Sequence, residues 1–113
     1  MNSGRFVILK HDSPFVHWDF MLQRGDVLAT WRLLAVPELK AWLPAERLAD
    51  HRTDYLDYEG PVSGNRGTVK RVMAGHYQDQ SATPWQQEIS ITNCSFACLA
   101  RLRSGPDYAW WFE

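Results

Sequence analysis

Short apolar runs broken by turn residues recur along the whole chain. Residues 6–9 are apolar and β-prone and stop at Asp12, Ser13 and Pro14. Residues 16–22 form a second run, Arg24-Gly25-Asp26 turns the chain, and residues 27–34 form a third. Together they predict a meander of two hairpins. Residues 68–73, 88–92, 96–102 and 108–112 read as further strands, with 75–78 continuing the sheet after a turn. Residues 44–50 open like a helix, with Pro44 suited to a first turn, but also fit a short strand. The stretch 61–67 is a loop with two glycines, and the polar stretch 79–84 reads as a surface loop. About seven or eight short strands between turns predict a mainly β fold. The expected architecture is a small closed or partly open antiparallel β-barrel with one or two short helices, residues 1–113 forming a single domain.

Composition narrows the class. A chain of 113 residues can bury a core without staples, and 45% apolar with 22% charged residues argues for folding. Twelve Lys and Arg against thirteen Asp and Glu leave a net charge of -1. Binding of nucleic acid by bulk charge is thereby excluded, although a local basic site is not. Six tryptophans suit sheet faces and grooves, core packing being their first use and base stacking by Trp18 or Trp31 a secondary one. Nine arginines against three lysines favour planar recognition of phosphate or carboxylate. Cys94 and Cys98 lie four apart on a predicted strand, too far along it for an easy disulfide, so two buried thiols are expected. No apolar run suits a signal peptide or approaches the roughly 20 residues of a membrane span. Cytoplasmic residence without a membrane partner is the expectation.

Three groups of residues carry chemistry. In His11-x5-His17-x-Asp19, His17 and Asp19 lie two apart on a strand and share a face. The intervening turn can fold His11 back beside them, giving three metal ligands with open positions. Incidental decoration of a hairpin is the competing reading. The second group is Asp50-His51-Arg52 with Tyr55, a proton donor and a hydrogen-bond donor for a phosphate oxygen. The third is Arg32, Arg52 and Arg66, each able to clamp an anion or to pair with Asp54, Asp57 or Glu59. His76 has no assigned role.

Read together, residues 6–20, with their His-x5-His-x-Asp-Phe, then His51-x3-Tyr55 and Tyr58-Glu59-Gly60, then Gly67-Thr68-Val69, resemble the 3′-phosphoesterase domain of bacterial DNA ligase D. The resemblance implies a compact β-barrel with a crescent-shaped groove and a divalent metal, typically manganese, with zinc or cobalt as alternatives. It implies removal of a 3′-ribonucleoside and then a 3′-phosphate from DNA or RNA–DNA primer ends during end joining. Carried over by position, His11, His17 and Asp19 hold the metal, while His51 and Tyr55 contact the scissile phosphate. Two positions depart from the family pattern: Met21 stands where an arginine engages phosphate, and Ala49 where an acid precedes the histidine. Arg32, Arg52 and Arg66 are expected to replace the missing arginine. The expected protein is a stand-alone phosphoesterase served by separately encoded ligase or end-joining partners. The alternatives are a non-catalytic module that binds nucleic-acid ends and a structural barrel.

Overall fold

The apolar runs at the N-terminus are continuous rather than alternating, which marks strands buried on both faces. The computed structural model describes residues 2–113 and places these strands in the wall of a barrel. The elements are β1 (Ser3–His11), β2 (His17–Arg24), β3 (Val27–Leu33), β4 (Leu43–Arg52), a 3-10 turn (Thr53–Leu56), β5 (Gly60–Pro61), β6 (Thr68–Ala82), β7 (Gln86–Thr92), β8 (Leu99–Arg103) and β9 (Tyr108–Phe112). All neighbouring strands run antiparallel in the order β1-β2-β3-β4-β9-β8-β7-β6-β5, and β1 also pairs with β6. That last pairing closes an eight-stranded barrel, with the two-residue β5 attached outside the circuit. Closure removes the exposed edges that an open sheet would carry.

The fifteen-residue β6 makes closure possible. Its residues 69–78 pair with β1, and its C-terminal half pairs with β7. Gly75 lies where both neighbours crowd the strand: a Cβ there would come within 2.7 Å of Thr92 O and 2.9 Å of the Phe6 ring. The interior is aromatic. Phe20 meets Trp110 and Phe112 edge-on at centroid separations of 4.8 and 5.2 Å, and Trp31 meets Trp110 at 5.2 Å. Tryptophan therefore serves chiefly as core, since Trp31 and Trp110 are buried and Trp18 packs against the same cluster. Trp31, 5% exposed, offers no ring to an external base.

A second apolar cluster lies on the outer wall. Val7 and Leu9 of β1, Met21 of β2, Leu28 of β3 and Val69 of β6 join Leu56 and Val62 from the 53–67 segment. That segment is a strap seated on the barrel by its own apolar residues.

Several sequence expectations need correction. Of the two readings open for residues 44–50, the strand is the one formed, as part of β4, and the helical content among the described residues is one 3-10 turn. The polar stretch 79–82 belongs to β6, held extended by its pairing with β7. The strand expected at 96–102 begins at Leu99. Both cysteines are free and lie off the strands, Cys94 half-buried and Cys98 exposed, so the expected pair of buried thiols does not form. No helix among the described residues is long and apolar enough to cross a membrane.

The contrast among the tryptophans is testable by chemical denaturation. Trp110→Ala removes a ring with no exposed surface and is expected to cost about 3–5 kcal/mol. Trp85, 73% exposed in the β6–β7 turn, is expected to tolerate alanine within about 0.5 kcal/mol.

Candidate metal centre and its groove

Alternation along β2 places His17, Asp19 and Met21 together on the outer face, opposite the core residues Phe20 and Leu22. The β1–β2 hairpin sets His11 directly across from His17, their rings 4.9 Å apart. His17 and Asp19 are buried, and His11 is partly so. One donor atom from each of the three falls within 4.8 Å of the others. The hairpin thus brings the predicted triad together.

Hydrogen bonding fixes how the rings present themselves. His17 Nδ1 lies 2.8 Å from Phe15 O, and a carbonyl can only accept, so Nδ1 carries a proton. In the neutral ring Nε2 is then a bare lone pair, and it stands 3.2 Å from Asp19 Oδ1. Both atoms are buried without a hydrogen-bond partner. His11 repeats the arrangement: Nε2 donates to Arg66 O at 2.7 Å, which turns Nδ1 toward Asp19 Oδ2 at 3.4 Å. Two imidazole lone pairs therefore face the two oxygens of one carboxylate. Acceptors gathered in a buried site repel one another unless a cation lies among them. The backbone carbonyls of Phe15 and Arg66 are the outer partners that orient ligating histidines. The residues fit a divalent ion with two nitrogen and one or two oxygen donors.

The clasp holding Arg66 O in place is local. Val62 N–H donates to Gly67 O at 2.8 Å, closing the 62–67 loop, and Thr68 N–H donates to Asp12 Oδ1 at 2.8 Å. Gly67 has φ +78°, and a Cβ there would run into Asp12 Oδ1 and Ser13 Cβ. Glycine is required twice over, for its dihedral and for its space.

The strap brings the second group over the triad. His51 and Tyr55, ring centroids 5.9 Å apart, line a chamber of about 90 Å³ with His11, Asp19, Met21 and Arg66. His51 Nδ1–H donates to Ala49 O at 2.9 Å, leaving Nε2 free to exchange a proton. The backbone carbonyl of Ala49 thus orients His51 whatever side chain stands there. Met21 is 1% exposed and belongs to the outer apolar cluster, so the chamber has an apolar wall where the family pattern places an arginine.

The three arginines take different places. Arg66 lines the chamber, its guanidinium tied to Ser63 O at 2.7 Å, and Arg52 is exposed on the adjoining rim. Arg32 is opposite Asp19 in register, its guanidinium 5.4 Å from the Phe15 ring centroid and its Nε buried without a partner. None of the three makes an ion pair among the described residues. Asp57 instead pairs with Arg5 at 2.7 Å, Glu59 Oε2 accepts from Arg71 N–H at 2.9 Å, and Arg71 Nη2 donates to Leu56 O at 3.1 Å. These contacts tether the strap. The hydrogen bond from Arg5 holds the Asp57 carboxyl below its usual range, outweighing the effect of desolvation, with the charges of Arg5 and Arg71 assisting. Sequence reasoning marked the 61–67 glycines for close backbone approach, which Gly67 makes, but missed Phe15 and Asp12. The first acts through a carbonyl, and the second acts across a gap that no local pattern spans.

Fold and site together define an antiparallel β-barrel with a candidate metal centre on its outer wall, roofed by the end of β4 with His51 and Arg52 and by a strap bearing Tyr55 and Arg66. The sequence profile of the DNA Ligase D 3′-phosphoesterase domain family matches residues 9–103, and the chain belongs to that family. The "Multifunctional non-homologous end joining protein LigD" of Pseudomonas aeruginosa is 33% identical over 88 residues, covering 74% of this chain and 9% of that protein. The chain therefore matches a small part of a much longer relative.

Two outcomes follow from this geometry. Gly67→Ala is expected to destabilise the fold by more than about 1 kcal/mol and to free His11 Nε2 from Arg66 O, read as a changed tautomer in the imidazole ¹⁵N shifts. The Asp57 carboxyl, followed by ¹³C NMR, is expected to titrate below the ordinary value of about 3.9. Because the folded value is the lower one, this tether is intact above that pH and is lost only as the pH falls through the depressed value.

Proposed function

We propose that this domain is a divalent-metal-dependent phosphoesterase that trims 3′ ends of DNA or RNA–DNA strands, in the cytoplasm, for end joining. The observation carrying this reading is the buried pair His17 Nε2 and Asp19 Oδ1, 3.2 Å apart and each without a hydrogen-bond partner, with His11 Nδ1 facing the other carboxylate oxygen. His11, His17 and Asp19 would hold the ion; manganese is the proposed occupant, with zinc and cobalt as competitors. Such an ion, when bound, supplies Lewis-acid polarisation of a phosphoryl oxygen and lowers the pKa of coordinated water.

The remaining chemistry is assigned to the chain's own groups. Arg66 and Arg52 offset the charge of the phosphate at the chamber and its rim, and Arg32 is available from the β3 side. Tyr55 donates its hydroxyl proton in a hydrogen bond to a non-bridging oxygen. As water adds to phosphorus and the bond to the 3′ oxygen breaks, His51 Nε2 in its protonated form gives that oxygen its proton. The products are a 3′-hydroxyl and inorganic phosphate when the substrate is a terminal monoester. A second reading, a module that binds ends without cleaving them, rests on Met21: an apolar wall stands at the position of the family's phosphate arginine.

Titration with Mn²⁺ is expected to broaden the His11 and His17 resonances and spare His76; Zn²⁺ and Co²⁺ rank the alternatives. Incubation with a 3′-phosphate primer and Mn²⁺ is expected to release phosphate. His17→Ala is expected to lower that rate by more than the roughly 10–100-fold that loss of a mere supporting residue costs. Metal binding without turnover would establish the binding module, and no broadening at all would remove the metal reading.

A further inference from the structure

Beside the chamber lies a larger pocket of about 260 Å³ that the proposed chemistry leaves unused. Tyr55 and Tyr58 form one side, Val62 the floor, and Arg52, Asp54 and Ser63 the polar rim. It is continuous with the chamber: both are lined by Tyr55 and Val62, and the shallow groove bearing His51 and Arg66 also carries Arg52, Tyr55 and Ser63. The two tyrosine rings meet edge to face at 6.0 Å, and the Tyr58 hydroxyl donates to Pro61 O, bracing the ring against the strap. Tyr58 nevertheless leaves 39% of its surface exposed, and Arg52 has no ion-pair partner among the described residues. A braced aromatic ring is thus presented beside a free guanidinium, a carboxylate and a hydroxyl.

We infer that this pocket holds the terminal nucleoside, the one whose 3′-phosphate enters the chamber. The inference rests on the phosphoesterase reading for the direction of the strand, but the pocket's own chemistry selects the ligand. A nucleobase has two flat faces for an aromatic ring and a guanidinium, and a polar edge and sugar hydroxyls for Asp54 and Ser63. Stacking tolerates every base, so the pocket distinguishes an end that carries a base from one that lacks it, with little regard to sequence. The triad can then be reached by phosphates on nucleosides and less well by phosphates at abasic ends.

Two primers, identical except that one ends in an abasic 3′-phosphate, provide the test. The protein is expected to favour the intact end by about tenfold in kcat/KM, within the range that base–aromatic stacking supplies. Tyr58→Ala is expected to collapse that ratio toward one, and Tyr58→Phe, which keeps the ring, to retain most of it. Equal processing of both ends by the unaltered protein would overturn the inference while leaving the phosphoesterase reading intact. An activity-free measurement separates the two claims. Adenosine 3′-monophosphate, added without metal, is expected to shift the resonances of Tyr58, Tyr55 and Val62. Those shifts in a protein that hydrolyses neither primer would sustain the pocket and sink the reaction. Their absence, in protein that remains folded, would sink the pocket.

Discussion

The constraint on which this structure turns is the apolar outer wall formed by β1, β2, β3 and β6. Val7, Leu9, Met21, Leu28 and Val69 point away from the barrel interior, so a closed barrel alone would leave them in water. Burying large apolar side chains is worth about 1.5–3 kcal/mol each, which favours a chain segment that covers them. The 53–67 strap supplies that cover through Leu56 and Val62, and the Arg5 and Arg71 contacts fix it in register. Apart from Arg32 on β3, every group of the proposed reaction outside the hairpin is held by this cover or by the strand leading into it. His51 ends β4, Tyr55 lies in the 3-10 turn, and Arg66 closes the loop against His11. The candidate metal centre is thereby roofed without any element being devoted to it alone.

Charge is organised by the same arrangement. With a net charge near zero, the chain has no general attraction for nucleic acid. Arg5, Arg24, Arg47 and Arg101 are spent on carboxylates of the scaffold, and Arg103 lies 4.6 Å from the Trp42 ring. Arg32, Arg52 and Arg66 have no carboxylate partner among the described residues, and Arg52 and Arg66 line the groove. Neutrality overall and uncompensated cations locally are therefore compatible. A ligand binding through so few arginines is sensitive to salt in proportion to the phosphates neutralised.

The sequence made the hairpin legible because its logic is local. Period-two alternation puts His17 and Asp19 on one face, and the short turn returns His11 to them, so spacing alone specified the triad. Residues 43–52 were ambiguous because this strand exposes most of its alternate positions, and Pro44 and a run of good helix formers obscure the period. Residues 79–82 looked like loop for a related reason: their partners on β7 lie beyond the turn and their side chains are largely polar. Cys94 and Cys98 were misplaced because β8 starts late, at Leu99, after an irregular stretch that sequence alternation did not reveal. The arginines were read as a set, yet their individual places depend on the strap. Arg66 serves His11 through its carbonyl, a role that no side-chain pattern encodes.

Met21 shows how one substitution is reconciled with such a scaffold. An arginine there would carry its charge through a cluster whose other members are Val7, Leu9, Leu28, Leu56, Val62 and Val69, and would need a permanent anionic partner. Methionine removes that need and adds a flexible apolar side chain to the surface on which the strap is seated. The strap is strengthened at the position where direct phosphate contact is lost. On the proposed reading, compensation would fall to Arg66, which the strap brings to the chamber, and to Arg52 at the end of β4, between chamber and pocket. On the proposed reading, phosphate would meet the cover of the barrel and not its wall, so the contacts that seat the 53–67 segment would also position the groups that receive substrate.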